Sequence, residues 1–192
     1  HPDVAVLSFA TRPDFLPEDV VTLLAELNKI KPIWVELGLQ TIHPETARYI
    51  RRGYDLSVYD DAVSCLHKNG LEVITHVILG LPGETNDMML ETVRYAGARS
   101  DGIKLQLLHV LRGTDLAKDY ENGLFRTMEP DEYCHLVADC IRNLPPSVVL
   151  HRLTGDGAKK DLIAPLWTGD KKRVLNMLKT TLANVEQGEA LK

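Results

Sequence analysis

Short apolar runs alternate with stretches of helical periodicity along nearly the whole chain, and this alternation constrains the fold more than any other feature. Residues 4–9, 33–39, 71–79, 103–110 and 147–153 read as strands, the first of them buried. Between them, Val20, Leu23, Leu24 and Leu27 follow the i, i+3, i+4, i+7 rule, with Glu18 and Asp19 in the first turn. Pro44 suits the first turn of a short helix. Ser57 reads as an N-cap with Asp60 three residues on, and Gly70 ends that helix. Thr85 caps a helix that buries Met89, Thr92, Val93 and Ala96. After Pro130, one face carries Tyr133, Leu136, Val137, Cys140, Ile141 and Leu144. Asp170 caps a last helix carrying Val174, Met177, Leu178, Thr181 and Leu182, and the tail after Val185 reads as polar and frayed. Strands separated by helices pair in parallel through crossovers. The expected fold is therefore α/β, an open parallel sheet with alternating helices or part of a barrel, in a single domain over residues 1–192.

Composition sets outer limits. The chain is 44% apolar and 26% charged, ordinary for a soluble globular protein. Its net charge of -5 argues against non-specific nucleic-acid binding but leaves a local basic patch open. Lys159, Lys160, Lys171, Lys172 and Arg173 form such a patch. No apolar run is long enough to cross a membrane and no signal peptide is visible, so the expected location is cytoplasmic. The start at His1 suggests a fragment of a longer protein. The three cysteines, Cys65, Cys134 and Cys140, have no scaffold spacing and read as reduced core thiols.

Parallel α/β proteins bind ligands where strands end and helices begin. The loops of interest are therefore those after each strand: TRPD at 11–14, GLQT at 38–41, GLPGET at 80–85, HVLRGT at 109–114 and HRLTGDG at 151–157. Glycine and small polar residues recur in most of them, as a ligand cradle or a tight turn requires.

At these loops the sequence resembles the radical S-adenosylmethionine (SAM) superfamily. GLQTIHPETARYIRRGYD (38–55) is similar to that barrel's fourth strand and helix, VILGLPGET (77–85) to its fifth strand, and LLHVLRGTDLA (107–117) to its sixth. TRPD, HRLTGDG and APLW (164–167) resemble a bacterial group related to the catalytic subunit of elongator, some of whose members are linked to tRNA wobble-uridine modification. The resemblance implies part of an open (β/α)6, TIM-like barrel, with strands 3–6 over residues 1–145 and a family-specific extension over 146–192. It implies SAM and a [4Fe–4S] cluster as cofactors, reductive cleavage of SAM to a 5′-deoxyadenosyl radical, and an electron donor such as flavodoxin or ferredoxin. It also implies tRNA as a candidate substrate.

By the same resemblance, Gln40 would contact the SAM ribose and Arg52, twelve positions later, its carboxylate. Gly80 and Ile78 would lie beside the adenine, with His76 and His109 also on the cofactor side. Arg12, His151, Arg152, Thr154 and Asp156 would face the substrate. The chain departs from the pattern in several places. It has no Cys-x3-Cys-x2-Cys motif for the cluster and no Gly-Gly-Glu motif for the SAM amino group, both of which would lie before His1. Ala10 and His76 stand where relatives such as the oxygen-independent coproporphyrinogen oxidases carry acidic residues. This chain alone is therefore expected to be inactive and to supply no cluster ligand. Two other readings stay open. A metal-dependent barrel hydrolase would use the strand residues His76, His109 and His151 with Glu36 or Asp156. A cluster-free binding module would need no chemistry at all.

Overall fold

The structure is a computed structural model that describes residues 1–155, 157 and 159–186. Its elements run β1 (Leu7–Thr11), α1 (Glu18–Asn28), β2 (Ile33–Gln40), α2 (Pro44–Tyr49), α3 (Leu56–Lys68), β3 (Glu72–Leu79) and α4 (Asn86–Gly97). They continue as β4 (Gly102–Leu107), β5 (Val110–Leu111), α5 (Asp115–Glu121), α6 (Pro130–Arg142), β6 (Val149–Arg152), β7 (Leu162–Ala164) and α7 (Lys171–Glu186). Five strands form one sheet in the order β1-β2-β3-β4-β6, and every pairing in it is parallel. The α/β expectation holds, and the sheet is curled as part of a barrel.

The helices cover the convex face. Val35, Leu37 and Leu39 of β2, Val73 and Val77 of β3, and Ile103 and Leu105 of β4 are wholly buried against them. Tyr59 and Leu66 of α3, Val93 and Ala96 of α4, and Tyr133, Leu136, Val137 and Cys140 of α6 fill the other side of this core. Thr85 caps α4 by accepting from the Met88 amide at 3.3 Å, and Asp170 caps α7 by accepting from the Arg173 amide at 3.0 Å. Cys134 and Cys140 are buried and Cys65 packs against the core, all as free thiols. Burial pushes the Cys140 thiol up to about 12.

Several elements differ from the sequence expectation. The first strand lies at residues 7–11 rather than 4–9 and is largely exposed, because it is an edge with β2 as its one neighbour in the sheet. Asp55, not Ser57, precedes the third helix, and no side chain caps it. The run expected over 103–110 breaks after Leu107, and Val110–Leu111 pairs antiparallel with β7 in a separate two-stranded sheet. The fifth strand is shorter than 147–153. The frayed tail after Val185 lies outside the residues whose side chains are described.

Candidate functional site

The concave face of the sheet carries polar side chains in layers. On β2, Trp34, Glu36, Gly38 and Gln40 alternate with the buried residues that face the helices. Parallel register sets Ala10 beside Glu36, Gly38 beside His76, and His76 and Ile78 beside Lys104 and Gln106.

The floor is an aromatic contact: the rings of Trp34 and His151 meet edge to face, centroids 4.7 Å apart at 88°. Gly102 makes the room, since a Cβ there would lie 2.6 Å from the His151 ring and 2.8 Å from Ile74 Cδ1.

A charged layer lies above it. Glu36 Oε1 accepts from Ser8 Oγ at 2.5 Å, and Oε2 accepts from Lys104 Nζ at 2.5 Å and His76 Nε2 at 2.7 Å. Gln106 Nε2 donates to His76 Nδ1 at 3.0 Å. Burial pushes the Glu36 carboxyl up, but the hydrogen bonds from Lys104, Ser8 and His76 outweigh it and hold the group at about 2. Burial depresses the His76 imidazole; Glu36 opposes this, and the nearby charges of Lys104 and Arg152 add to it. His76 is therefore neutral at pH 7, with its proton on Nε2 facing Glu36.

Beyond the charged layer opens a cavity of 590 Å³, lined on the sheet by Gly38, Gln40 and Ile78 and on the loops by Arg12, Arg52 and Tyr54. Gln40 ends β2 with φ +67°, at a register shift after Gly38. Its carboxamide folds over Gly38, where a Cβ would lie 2.7 Å from Gln40 Nε2. Gln40 Oε1 is buried and has no hydrogen-bond partner. Arg52 is buried (9% exposed). Its Nη1 donates to the carbonyls of Thr41 at 2.6 Å and Leu39 at 3.3 Å, and its Nε to that of Tyr54 at 3.1 Å. Among the described residues no carboxylate forms an ion pair with it. Its Cζ lies 4.8 Å from the centre of the Tyr54 ring, and that of Arg12 lies 5.4 Å from it. Burial pushes the Tyr54 hydroxyl up to about 12. On the far wall, Tyr49 donates to Asp119 at 2.6 Å and Arg51 pairs with Asp115 at 2.9 Å, tying α2 to α5.

The structure thus brings Gln40, Arg52, Ile78 and Arg12 to one cavity. Arg12 is also held by Asp14 through two hydrogen bonds of 2.9 and 2.7 Å. Gly80 lines a neighbouring cavity of 540 Å³ with Glu84 and Met128. His109 sits beside Gly155 and Gly157, where a Cβ would come within 2.7 and 2.5 Å of its ring. His76 belongs to the charged layer and His151 to the floor. Arg152 stands opposite Lys104, Thr154 is half-buried in the loop that follows, and Asp156 lies outside the described residues. His76, His109 and His151 therefore do not converge, and among the described residues no group of three or more histidine, cysteine or acidic side chains is placed to hold a metal ion. The hydrolase centre considered from sequence is not assembled. Tyr49, Tyr54, Asp115 and Asp119 were not singled out in sequence, because they reach the cavity from loops and short helices with no periodic signal. Ser8, Lys104 and Gln106 did carry one, the alternation of polar with apolar residues on their strands.

The fold agrees with comparisons against known proteins. A model of the radical SAM superfamily matches residues 2–96, and a model of the radical SAM C-terminal domain matches residues 100–184. The Bacillus subtilis protein YtqA is 46% identical over 183 residues, which is 95% of this chain and 57% of YtqA. The Methanocaldococcus jannaschii tRNA uridine(34) acetyltransferase is 26% identical over 154 residues, 78% of this chain and 28% of that protein. Among solved structures, the archaeal Elp3 of Methanocaldococcus infernus has the same fold. Its TM-score is 0.76 at 22% identity, over 92% of this chain and 42% of that one. The chain thus spans little more than half the length of YtqA, and it belongs to the radical SAM superfamily.

Proposed function

We propose that the 590 Å³ cavity is the S-adenosylmethionine site of a radical SAM enzyme. The observation that carries this is the buried, partnerless Oε1 of Gln40 at the cavity edge. A buried acceptor without a donor costs free energy, and a ribose hydroxyl supplies the donor. Arg52 fits the SAM carboxylate, as a guanidinium that gives Nε and Nη1 to carbonyls and forms no ion pair with a carboxylate among the described residues. Ile78 supplies an apolar wall, and Gly38 lets the Gln40 amide lie flat on the strand. The volume suits a ligand of this size. With a [4Fe–4S] cluster, bound SAM supplies a carbon-centred radical able to remove a hydrogen atom from a substrate.

This chain's own part is to bind and orient. Cys65 lies on α3, and Cys134 and Cys140 are buried on α6, so the cluster ligands belong to another segment and this chain alone does not cleave SAM. The similarity to a tRNA uridine(34) acetyltransferase supports a tRNA uridine as the substrate. The one-electron reduction that such chemistry needs calls for a donor such as flavodoxin or ferredoxin. The test joins this chain to a segment bearing the three-cysteine motif, reconstitutes it anaerobically with iron and sulfide, and measures 5′-deoxyadenosine after SAM and dithionite are added. Formation that falls sharply in Gln40→Ala supports the reading. A folded, cluster-loaded protein that forms none overturns it.

A further inference from the structure

Arg152 is the one half-buried arginine of the lumen wall, and it makes no hydrogen bond or ion pair among the described residues. Its position follows from a register shift. β4 and β6 pair Gly102 with Val149 and Ile103 with Leu150, and then Lys104 with Arg152. His151 and Arg152 therefore both stand opposite Lys104, an arrangement that turns two successive residues toward one face. The His151 ring on Trp34 identifies that face as the concave one.

Among the described residues, the cations there are not all paired. The Glu36 carboxylate is shared by Lys104, His76 and Ser8. Lys104 is 14% exposed and spends one of its three N–H donors on Glu36. Among the described residues no carboxylate forms an ion pair or hydrogen bond with Arg152, and Glu72 reaches the neighbouring His151 only through its field. Withdrawing a guanidinium from water without a counter-charge is unfavourable, and a fold gains nothing from it unless something else supplies the negative charge. The positive field of Arg152 and Lys104 also reaches the neighbouring imidazole of His76, so both cations lie close around one point of the lumen.

We propose that Lys104 and Arg152 form an oxyanion-binding pair in the barrel lumen, beside the cavity floor at Gly38 and Ile78, that holds a carboxylate or phosphate group of a second ligand. The planar fork of Arg152 takes two oxygens, and the free ammonium donors of Lys104 take the third contact. Glu36 and His76 are positioning residues: they fix the Lys104 stem and leave its remaining donors toward the lumen. This site is separate from the Gln40–Arg52 cavity and does not depend on what that cavity binds.

The test follows the indole N–H signal of Trp34, which sits on the lumen floor, by NMR during separate titrations with inorganic phosphate and with acetate. The signal is assigned by its loss in Trp34→Phe. A saturable shift with either ion, weakened about tenfold or more in Arg152→Gln and unchanged in Arg142→Gln, is the expected result. Arg142 is an exposed control paired with Asp139. Saturation by phosphate alone assigns a phosphate-bearing ligand, and saturation by acetate alone a carboxylate. No saturable shift with either ion, or equal shifts in wild type and Arg152→Gln, overturns the proposal. Arg152→Gln is preferred to a Lys104 variant because it removes no hydrogen bond among the described residues and leaves Glu36 paired.

Discussion

Trp34 of β2 and His151 of β6 touch edge to face at 4.7 Å although two strands, β3 and β4, lie between theirs. In a flat sheet those strands would sit about 14 Å apart. The contact therefore measures how tightly the sheet curls, and it closes one end of the lumen. Gly102, on the strand between, allows it.

Gly102→Ala should break this arrangement. The new Cβ would lie 2.6 Å from the His151 ring and 2.8 Å from Ile74 Cδ1, so one of them must move. The expected loss is on the order of 1–3 kcal/mol, the usual cost of overpacking. Urea unfolding gives the stability, and near-ultraviolet circular dichroism shows whether Trp34 has left His151. An unchanged midpoint and spectrum would mean that the curl does not depend on this glycine.

Gln40→Gly should separate binding from folding. Gln40 holds φ +67°, a conformation glycine adopts freely, so the substitution relieves strain of about 1 kcal/mol. It also removes a buried amide oxygen that lacks a donor among the described residues. Thermal unfolding should show stability kept or raised, while calorimetry shows SAM affinity lowered about tenfold. Stability kept with affinity intact would remove Gln40 from the proposed SAM site.

Arg52→Lys tests the opposite case. Arg52 clamps the loop after β2 by donating to the carbonyls of Leu39, Thr41 and Tyr54. A lysine cannot reproduce that fork and leaves buried carbonyls without donors. The expected loss is roughly 3 kcal/mol of stability, together with weaker SAM binding. Denaturant unfolding checks the first and calorimetry the second.

Acid should weaken the fold through the charged layer. The Glu36 pKa is lowered from 4.5 to about 2, so the unfolded chain binds the proton more readily. Its contribution, on the order of 3 kcal/mol, is present above pH 4.5 and is lost as the pH falls toward 2. His76 acts in the same sense and earlier, because its pKa is also lowered, from 6.5, and the folded state resists its protonation. Stability measured from pH 7 downward should fall in both windows. In His76→Gln the earlier fall should shrink to the part left by His151, whose imidazole burial also depresses, and the later one should remain.

Much of this was legible in the sequence, for identifiable reasons. The helices α4, α6 and α7 were visible because each buries a long face at helical spacing, and the caps Thr85 and Asp170 are short-range chemistry. β1 was misplaced because an edge strand need not be apolar throughout. α5, β5 and β7 are too short for any period to show. The site was legible in part. Gln40, Arg52, Ile78 and Arg12 were marked by their loops and do meet at one cavity. The alternation around Lys104 and Gln106 marked a two-faced strand. The pairing of Lys104 and His76 with one carboxylate is a matter of register and curl, and neither is written in local sequence.

The register shift in β6 has a consequence for how this wall could change over time. Strand side chains keep parity: each residue added or removed moves all later ones to the opposite side. Here the chain spends one extra residue between Leu150 and Arg152 to hold an arginine toward the lumen. A one-residue deletion at that point would leave the pairing of Lys104 intact while changing which side chains the lumen sees. What this wall presents to a ligand is thus set by length as well as by residue type, and it can be altered without any substitution in the core.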